Sequence, residues 1–160
     1  MQFYLDTNIF YHAYCPVEKG SIIDWLFENL STEIQGVTCE WAVVEMFRAL
    51  KKQVNLGIIK EKDANLVLDF FLVEIGQMVQ DDKIQLKPVV FKSIIAAREL
   101  IFTYNLYAAD AIHGTTAIQS NVDAFITTDS DFKYDLGSIP IINPLETNFK
   151  EKMKLLFQKK

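Results

Sequence analysis

The chain predicts an α/β domain built around a parallel sheet. Short apolar, β-rich runs alternate with longer helix-like patterns over its 160 residues. No linker, internal repeat or low-complexity tract interrupts that alternation. Half of the residues are hydrophobic and 12% are aromatic, which argues against disorder and for a sizeable core.

In chain order, residues 2–5 (Gln-Phe-Tyr-Leu) read as the first strand. The Asp6-Thr7-Asn8 triplet that follows suits the start of a helix, since all three residue types cap. Residues 21–30 read as a helix with Ser21 at its N-cap, and residues 34–37 as the second strand. Thr38 is then placed to cap a helix running to about Val54. Residues 60–80 carry Ala64, Leu66, Val67, Leu68, Phe70, Phe71, Val73, Ile75 and Met78, the pattern of a strongly apolar helix. Residues 84–87 form a weak strand closed by Pro88, and helices are predicted over 89–104 and 107–120. Residues 124–127 are the clearest strand, and 139–142 the last; Pro140 inside that run assigns it to a sheet edge. An amphipathic helix is expected over 145–157. One domain spanning 1–160, with a helical tail over 145–160, is the expected organisation.

Four acids then stand out. Asp6 and Asp129 end apolar strands, while Glu45 and Asp110 interrupt the apolar runs 41–47 and 106–112. A carboxylate so placed loses hydration and needs a partner. No Lys or Arg lies within a helical turn of Asp110. Ligands of parallel sheets bind beyond the carboxyl ends of the strands, where Asp6 and Asp129 fall. Glu45 and Asp110 lie in the first or second turn of helices able to face the same crevice. A shared Mg²⁺ or Mn²⁺ would satisfy all four, since hard cations take oxygen ligands. Each acid also has a plain reading: Asp6 as a helix cap, Glu45 paired with Arg48, Asp110 facing solvent, Asp129 and Asp131 as turn residues.

The net charge of −5 argues against nucleic acid on its face, but a bound divalent cation inverts the local field. Basic residues gather at Arg48, Lys51 and Lys52, and at Lys150, Lys152, Lys154, Lys159 and Lys160. Arg48 lies one turn beyond Glu45, within reach of a phosphate held at the acids, although a solvated helix face also explains these charges. No apolar run approaches the length of a membrane span, and the N-terminus lacks the basic start and long apolar segment of a secretory signal. Cys15 and Cys39 have no metal-type spacing and read as free thiols of a cytoplasmic protein.

With these motifs in place, the chain resembles the PIN-domain ribonucleases, and within them the VapC-type toxins of toxin–antitoxin pairs. Tyr4-Leu5-Asp6-Thr7-Asn8 resembles the opening motif of that family. Glu45 stands where the second acid does, Leu106–Ile112 with Ala117 resembles the third motif, and Phe125–Phe132 the fourth. The resemblance implies a three-layer α/β/α sandwich with a central parallel sheet. It also implies Mg²⁺- or Mn²⁺-dependent cleavage of single-stranded RNA, a homodimer and an antitoxin partner. Carried over by position, Asp6, Glu45, Asp110 and Asp129 are the metal-binding acids. Asp131 is an accessory ligand, and Thr7, Asn8 and Thr128 support the pocket. The stretch 60–80 is longer and more apolar than a minimal toxin requires. A free-standing RNA-processing protein of the same family reads much the same, as does a metal- or RNA-binding module with little turnover.

Metal-assisted attack by water on a phosphodiester leaves a 5′-phosphate and a 3′-hydroxyl and does not need the 2′-hydroxyl. Competing schemes lack their residues. There is no Gly-rich phosphate loop and no Gly-x-Ser-x-Gly elbow. A dehalogenase-type phosphotransferase wants an acid two residues after Asp6, where Asn8 stands. His113, one turn after Asp110, is placed to contact a metal or phosphate; a helix-surface or hydrogen-bonded structural histidine is the simpler reading.

Overall fold

The computed structural model describes residues 1–15 and 22–157. Five strands form one sheet: β1 (Gln2–Leu5), β2 (Gln35–Cys39), β3 (Ile84–Lys87), β4 (Ala124–Ile126) and β5 (Ile141–Ile142). Their spatial order is β3-β2-β1-β4-β5, and every pairing is parallel. The helices among the described residues are α1 (Thr7–Tyr14), α2 (Ile22–Glu28), α3 (Glu40–Asn55), α4 (Glu61–Gln80), α5 (Phe91–Tyr104), α6 (Ala108–Gln119) and α7 (Phe149–Phe157).

Strand residues alternate faces, and both faces are covered, as a parallel sheet requires. Phe3, Leu5, Ala124 and Ile126 enter a core with Ile9, Phe10, Met46, Leu50, Phe71 and Phe149, supplied by α1, α3, α4 and α7. Tyr4, Val37 and Phe125 point the other way, into a second core with Ala97, Leu100, Ala111 and Ala117 of α5 and α6. The expected α/β/α sandwich is therefore the observed one. Helices α5 and α6 approach closely at Gly114, where an added Cβ would stand 2.8 Å from Leu100 Cδ1.

The predicted elements match with shifted ends. Thr38 does not cap a helix: it is a buried residue of β2, and Cys39 takes the N-cap position of α3. The strand outlasts its prediction because Thr38 and Cys39 pair in register with Leu86 and Lys87 of β3. Trp41 and Val44, although part of the apolar run 41–47, lie on the exposed side of α3; Ala42, Met46 and Leu50 are its buried residues. Pro140 precedes β5, which lies at the sheet edge. Ser21, Lys159 and Lys160 lie outside the described residues.

Phe71 anchors α4 to the rest of the fold. It is fully buried, with the Phe10 ring 5.7 Å and the Tyr14 ring 5.3 Å away. Replacing it by alanine leaves a cavity that α1 and α4 cannot close. Phe71→Ala should lower the urea-measured unfolding free energy by about 3–5 kcal/mol, and a loss below about 1 kcal/mol would show that α4 is not anchored there.

Candidate active site

The parallel pairing of β1 with β4 puts Leu5 opposite Ile126. The next residues, Asp6 and Thr127, therefore meet at the carboxyl edge of the sheet, where the strand order reverses. Asp6 caps α1 by accepting from Thr7 N at 2.7 Å. Its other carboxylate oxygen accepts from Asn8 Nδ2 at 2.7 Å and from the Thr127 hydroxyl at 2.6 Å. The capping reading of Asp6 therefore holds, and three donors keep one buried carboxylate in place at the strand edge.

Asn8 and Thr127 tie the second edge of the site. Asn8 Oδ1 accepts from Thr128 N at 3.0 Å, and Thr127 Oγ1 accepts from Asp129 N at 2.9 Å. Asp129 in turn accepts from Asp131 N at 2.8 Å. Helix α3 delivers Glu45 from its second turn and α6 delivers Asp110 from its first.

One cavity of about 610 Å³ is lined by Asp6, Thr7, Asn8, Glu45, Asp110 and Asp129, with Tyr11, Arg48, Ala49 and Lys52 beside them. The four acids singled out by sequence thus share one concavity. Asp131 and Thr128 are not among its lining residues. Asp131 is exposed, and Thr128 supports the site through its backbone bond to Asn8. Of the three basic residues, Arg48 and Lys52 line the cavity, whereas Lys51 pairs with Glu61 at 3.7 Å.

Sequence reading missed two partners. Thr127 holds Asp6, a contact set by the β1–β4 register that no local pattern announces. Glu45 was expected to lack a cationic partner other than Arg48. Instead Glu45 Oε2 accepts from the Thr7 hydroxyl and lies 2.6 Å from His113 Nε2. His113 is fully buried, so it is the hydrogen-bonded structural histidine and not the helix-surface one. Burial opposes a charge on His113, but hydrogen bonds to Cys39 and Glu45 and the charge of Asp6 raise its pKa well above the ordinary value. Burial likewise opposes ionisation of Glu45, and His113 and Thr7 outweigh it and lower the pKa.

The remaining charge is only partly compensated. Burial pushes Asp110 up to about 7, reinforced by the charges of Asp129, Asp6 and Glu45. Burial also raises Asp6, against the pull of His113 and Thr127. Among the described residues, no three His, Cys, Asp or Glu side chains are arranged to hold a metal ion as they stand. The donor set nonetheless fits a hard divalent cation in chemistry: four carboxylates line one cavity, and their mutual repulsion favours a positive charge between them.

The model of the PIN domain family matches residues 3–134. The chain belongs to the PIN-domain family. Its fold is similar to solved structures of toxin–antitoxin complexes. One is VapBC2 from Rickettsia felis bound to a DNA fragment from their promoter. That match has 18% identity and a TM-score of 0.63, covering 89% of this chain and 98% of the other. A second is a toxin–antitoxin complex from Klebsiella pneumoniae, with 18% identity and a TM-score of 0.57, covering 91% and 99%. A third is DNA-bound VapBC from Salmonella typhimurium, with 15% identity and a TM-score of 0.59, covering 90% and 98%. No curated protein sequence matches the chain. Among the described residues, no helix is long and apolar enough to cross a membrane.

The raised pKa of Asp110 has a stability consequence. An acid whose pKa is higher folded than unfolded destabilises the fold as pH rises through the interval between the two values, here from about 4 to about 7. Asp110→Asn removes that repulsion. Without divalent cation, its melting temperature should exceed wild type at pH 8, and the difference should shrink at pH 4. An equal difference at both pH values would show that Asp110 is not under this strain.

Proposed function

We propose that this protein is a Mg²⁺- or Mn²⁺-dependent endoribonuclease that hydrolyses single-stranded RNA, acting in the cytoplasm as the toxin of a toxin–antitoxin pair. The observation that carries the reading is one cavity, at the carboxyl edge of a parallel sheet, lined by Asp6, Glu45, Asp110 and Asp129 with two cations on its wall. Membership of the PIN family and the toxin–antitoxin complexes among its structural relatives support it.

The four acids would hold the metal. When bound, a divalent cation supplies an acidified water and offsets charge gathering on the attacked phosphate. The chain's own residues do the positioning. Asp6 is held by Thr7, Asn8 and Thr127, so its oxygens are fixed before substrate arrives. Arg48 and Lys52 would take phosphates flanking the scissile one, which reconciles a net charge of −5 with a polyanionic substrate. Tyr11 offers a ring on which a base can stack. Asp131, outside the cavity lining, would act through Asp129 as an accessory acid.

The proposed partners are a second copy of the chain and an antitoxin. Two apolar faces are exposed. On α4, Leu66, Phe70 and Val73 follow one another at helical spacing. On α5, Phe91, Ile94, Ile95, Ile101 and Phe102 form a stripe opposite the buried Ser93, Ala97 and Leu100. Trp41, Ile94, Ile101 and Ile112 line an apolar groove of about 260 Å³ beside it. Apolar surface on this scale marks interaction sites.

Cleavage of single-stranded RNA should require Mn²⁺ or Mg²⁺ and leave 5′-phosphate ends. Asp110→Asn and Asp129→Asn should abolish it. Asp131→Asn should reduce activity by roughly 10–100-fold and recover part of it with excess Mn²⁺. Arg48→Ala should weaken RNA binding and flatten its salt dependence with Mn²⁺ affinity kept. Metal-independent cleavage, or full activity in Asp110→Asn, would remove the nuclease reading.

Light scattering at micromolar concentration should show a dimer. Paired glutamate substitutions at Phe70 and Val73, or at Phe91 and Phe102, should yield a monomer from one pair and leave the dimer intact in the other. A monomeric wild type would eliminate the second copy.

A further inference from the structure

Glu45 is the one acid of the cavity that reaches it on a long side chain from a helix already under way. Such a side chain has several torsions free, and repulsion from Asp6 and Asp110 drives it toward solvent. Something has to hold it over the cavity. Its hydrogen-bond partners among the described residues converge on Oε2: the Thr7 hydroxyl and His113 Nε2, the latter at 2.6 Å. Oε1 accepts from no described residue.

His113 is built to be immobile. It is fully buried in α6, one turn beyond Asp110. Its Nδ1 lies 2.8 Å from the Tyr4 hydroxyl and 3.6 Å from Cys39 Sγ. The Tyr4 ring meets it edge-on at 5.8 Å and is itself stacked on Phe125 at 4.9 Å. The Thr7 hydroxyl donates to Glu45, so Nε2 carries an N–H toward the carboxylate; in the neutral ring Nδ1 then accepts from the Tyr4 hydroxyl. The Nε2–H faces Glu45 in the neutral and in the protonated ring alike; protonation, which the raised pKa favours, only turns Nδ1 into a donor toward Tyr4 or Cys39.

We propose that His113 is a positioning residue: its Nε2–H, backed by Tyr4, locks the Glu45 carboxylate over the acidic cavity with Oε2 occupied and Oε1 left for the cation. The consequence for metal binding rests on the nuclease reading; the lock itself does not. Partners of this kind orient a ligand and change metal affinity by roughly 10–100-fold when lost.

The test compares wild type, His113→Leu, His113→Gln, Tyr4→Phe and Asp110→Asn by Mn²⁺ calorimetry, melting curves and crystal structures. His113→Gln retains a nitrogen donor near the Nε2 position. His113→Leu should lose roughly 10–100-fold in Mn²⁺ affinity, with Glu45 swung out of the cavity, and His113→Gln should restore most of both. Glu45 unmoved in His113→Leu, with wild-type Mn²⁺ affinity, overturns the proposal and leaves His113 a packing residue. A folded His113→Gln as impaired as His113→Leu also overturns it, because the donor is then irrelevant. Should His113→Leu fail to fold, Tyr4→Phe decides. It releases the ring without removing it, and either weakens Mn²⁺ binding and disorders Glu45 or, by changing neither, overturns the lock. If wild type and Asp110→Asn take up Mn²⁺ equally poorly, the nuclease reading fails, while the Glu45 conformer still decides the role of His113.

Discussion

Strand β1 lies between β2 and β4, and its register against β4 aligns Leu5 with Ile126. Everything at the site depends on that alignment. A slip of one residue would turn Phe3 and Leu5 out of one core and Tyr4 out of the other. It would also separate Asp6 from the Thr127 hydroxyl, 2.6 Å away, and Asn8 from Thr128 N. The apolar residues therefore enforce the register, and the polar residues immediately beyond them inherit their positions from it. The site residues thus take their places from the core beneath them.

That placement concentrates negative charge in a half-enclosed space, and the protein answers it unevenly. Asp6 is surrounded by neutral donors, and Glu45 is held by Thr7 and His113. Among the described residues Asp110 accepts no comparable hydrogen bond, and its pKa rises to about 7 under burial and the field of the other acids, against the pull of His113. A centre compensated at two acids and left unsatisfied at a third is arranged to gain most from a cation. Metal centres usually carry such supporting hydrogen bonds behind the ligands.

The same helices serve chemistry at one end and surface elsewhere. Helix α3 places Glu45, Arg48 and Lys52 on the cavity, Met46 and Leu50 in the core, and Trp41 on an exposed apolar groove. Helix α5 is apolar on both sides, with Ala97 and Leu100 inward and Phe91 and Phe102 outward. The outward stripe is as much a part of the sequence's pattern as the core, and it lies on a helix that packs against α6, which carries Asp110.

The order of strands and helices was legible in the sequence, because hydrophobic periodicity is a local property of each segment. The four acids were legible too, because a carboxylate inside an apolar run is anomalous whatever surrounds it. The start of α3 was not. Thr38 has the chemistry of a cap, but pairing with β3 draws it into the strand. Nor could the sequence show that Trp41 faces outward, that Lys51 turns to Glu61 while Lys52 turns to the cavity, or that His113 belongs to Glu45. Each of these depends on contacts between residues far apart in the chain. Local pattern decides which residues are buried or special; only the packing of helices against a sheet of one register decides which of them meet.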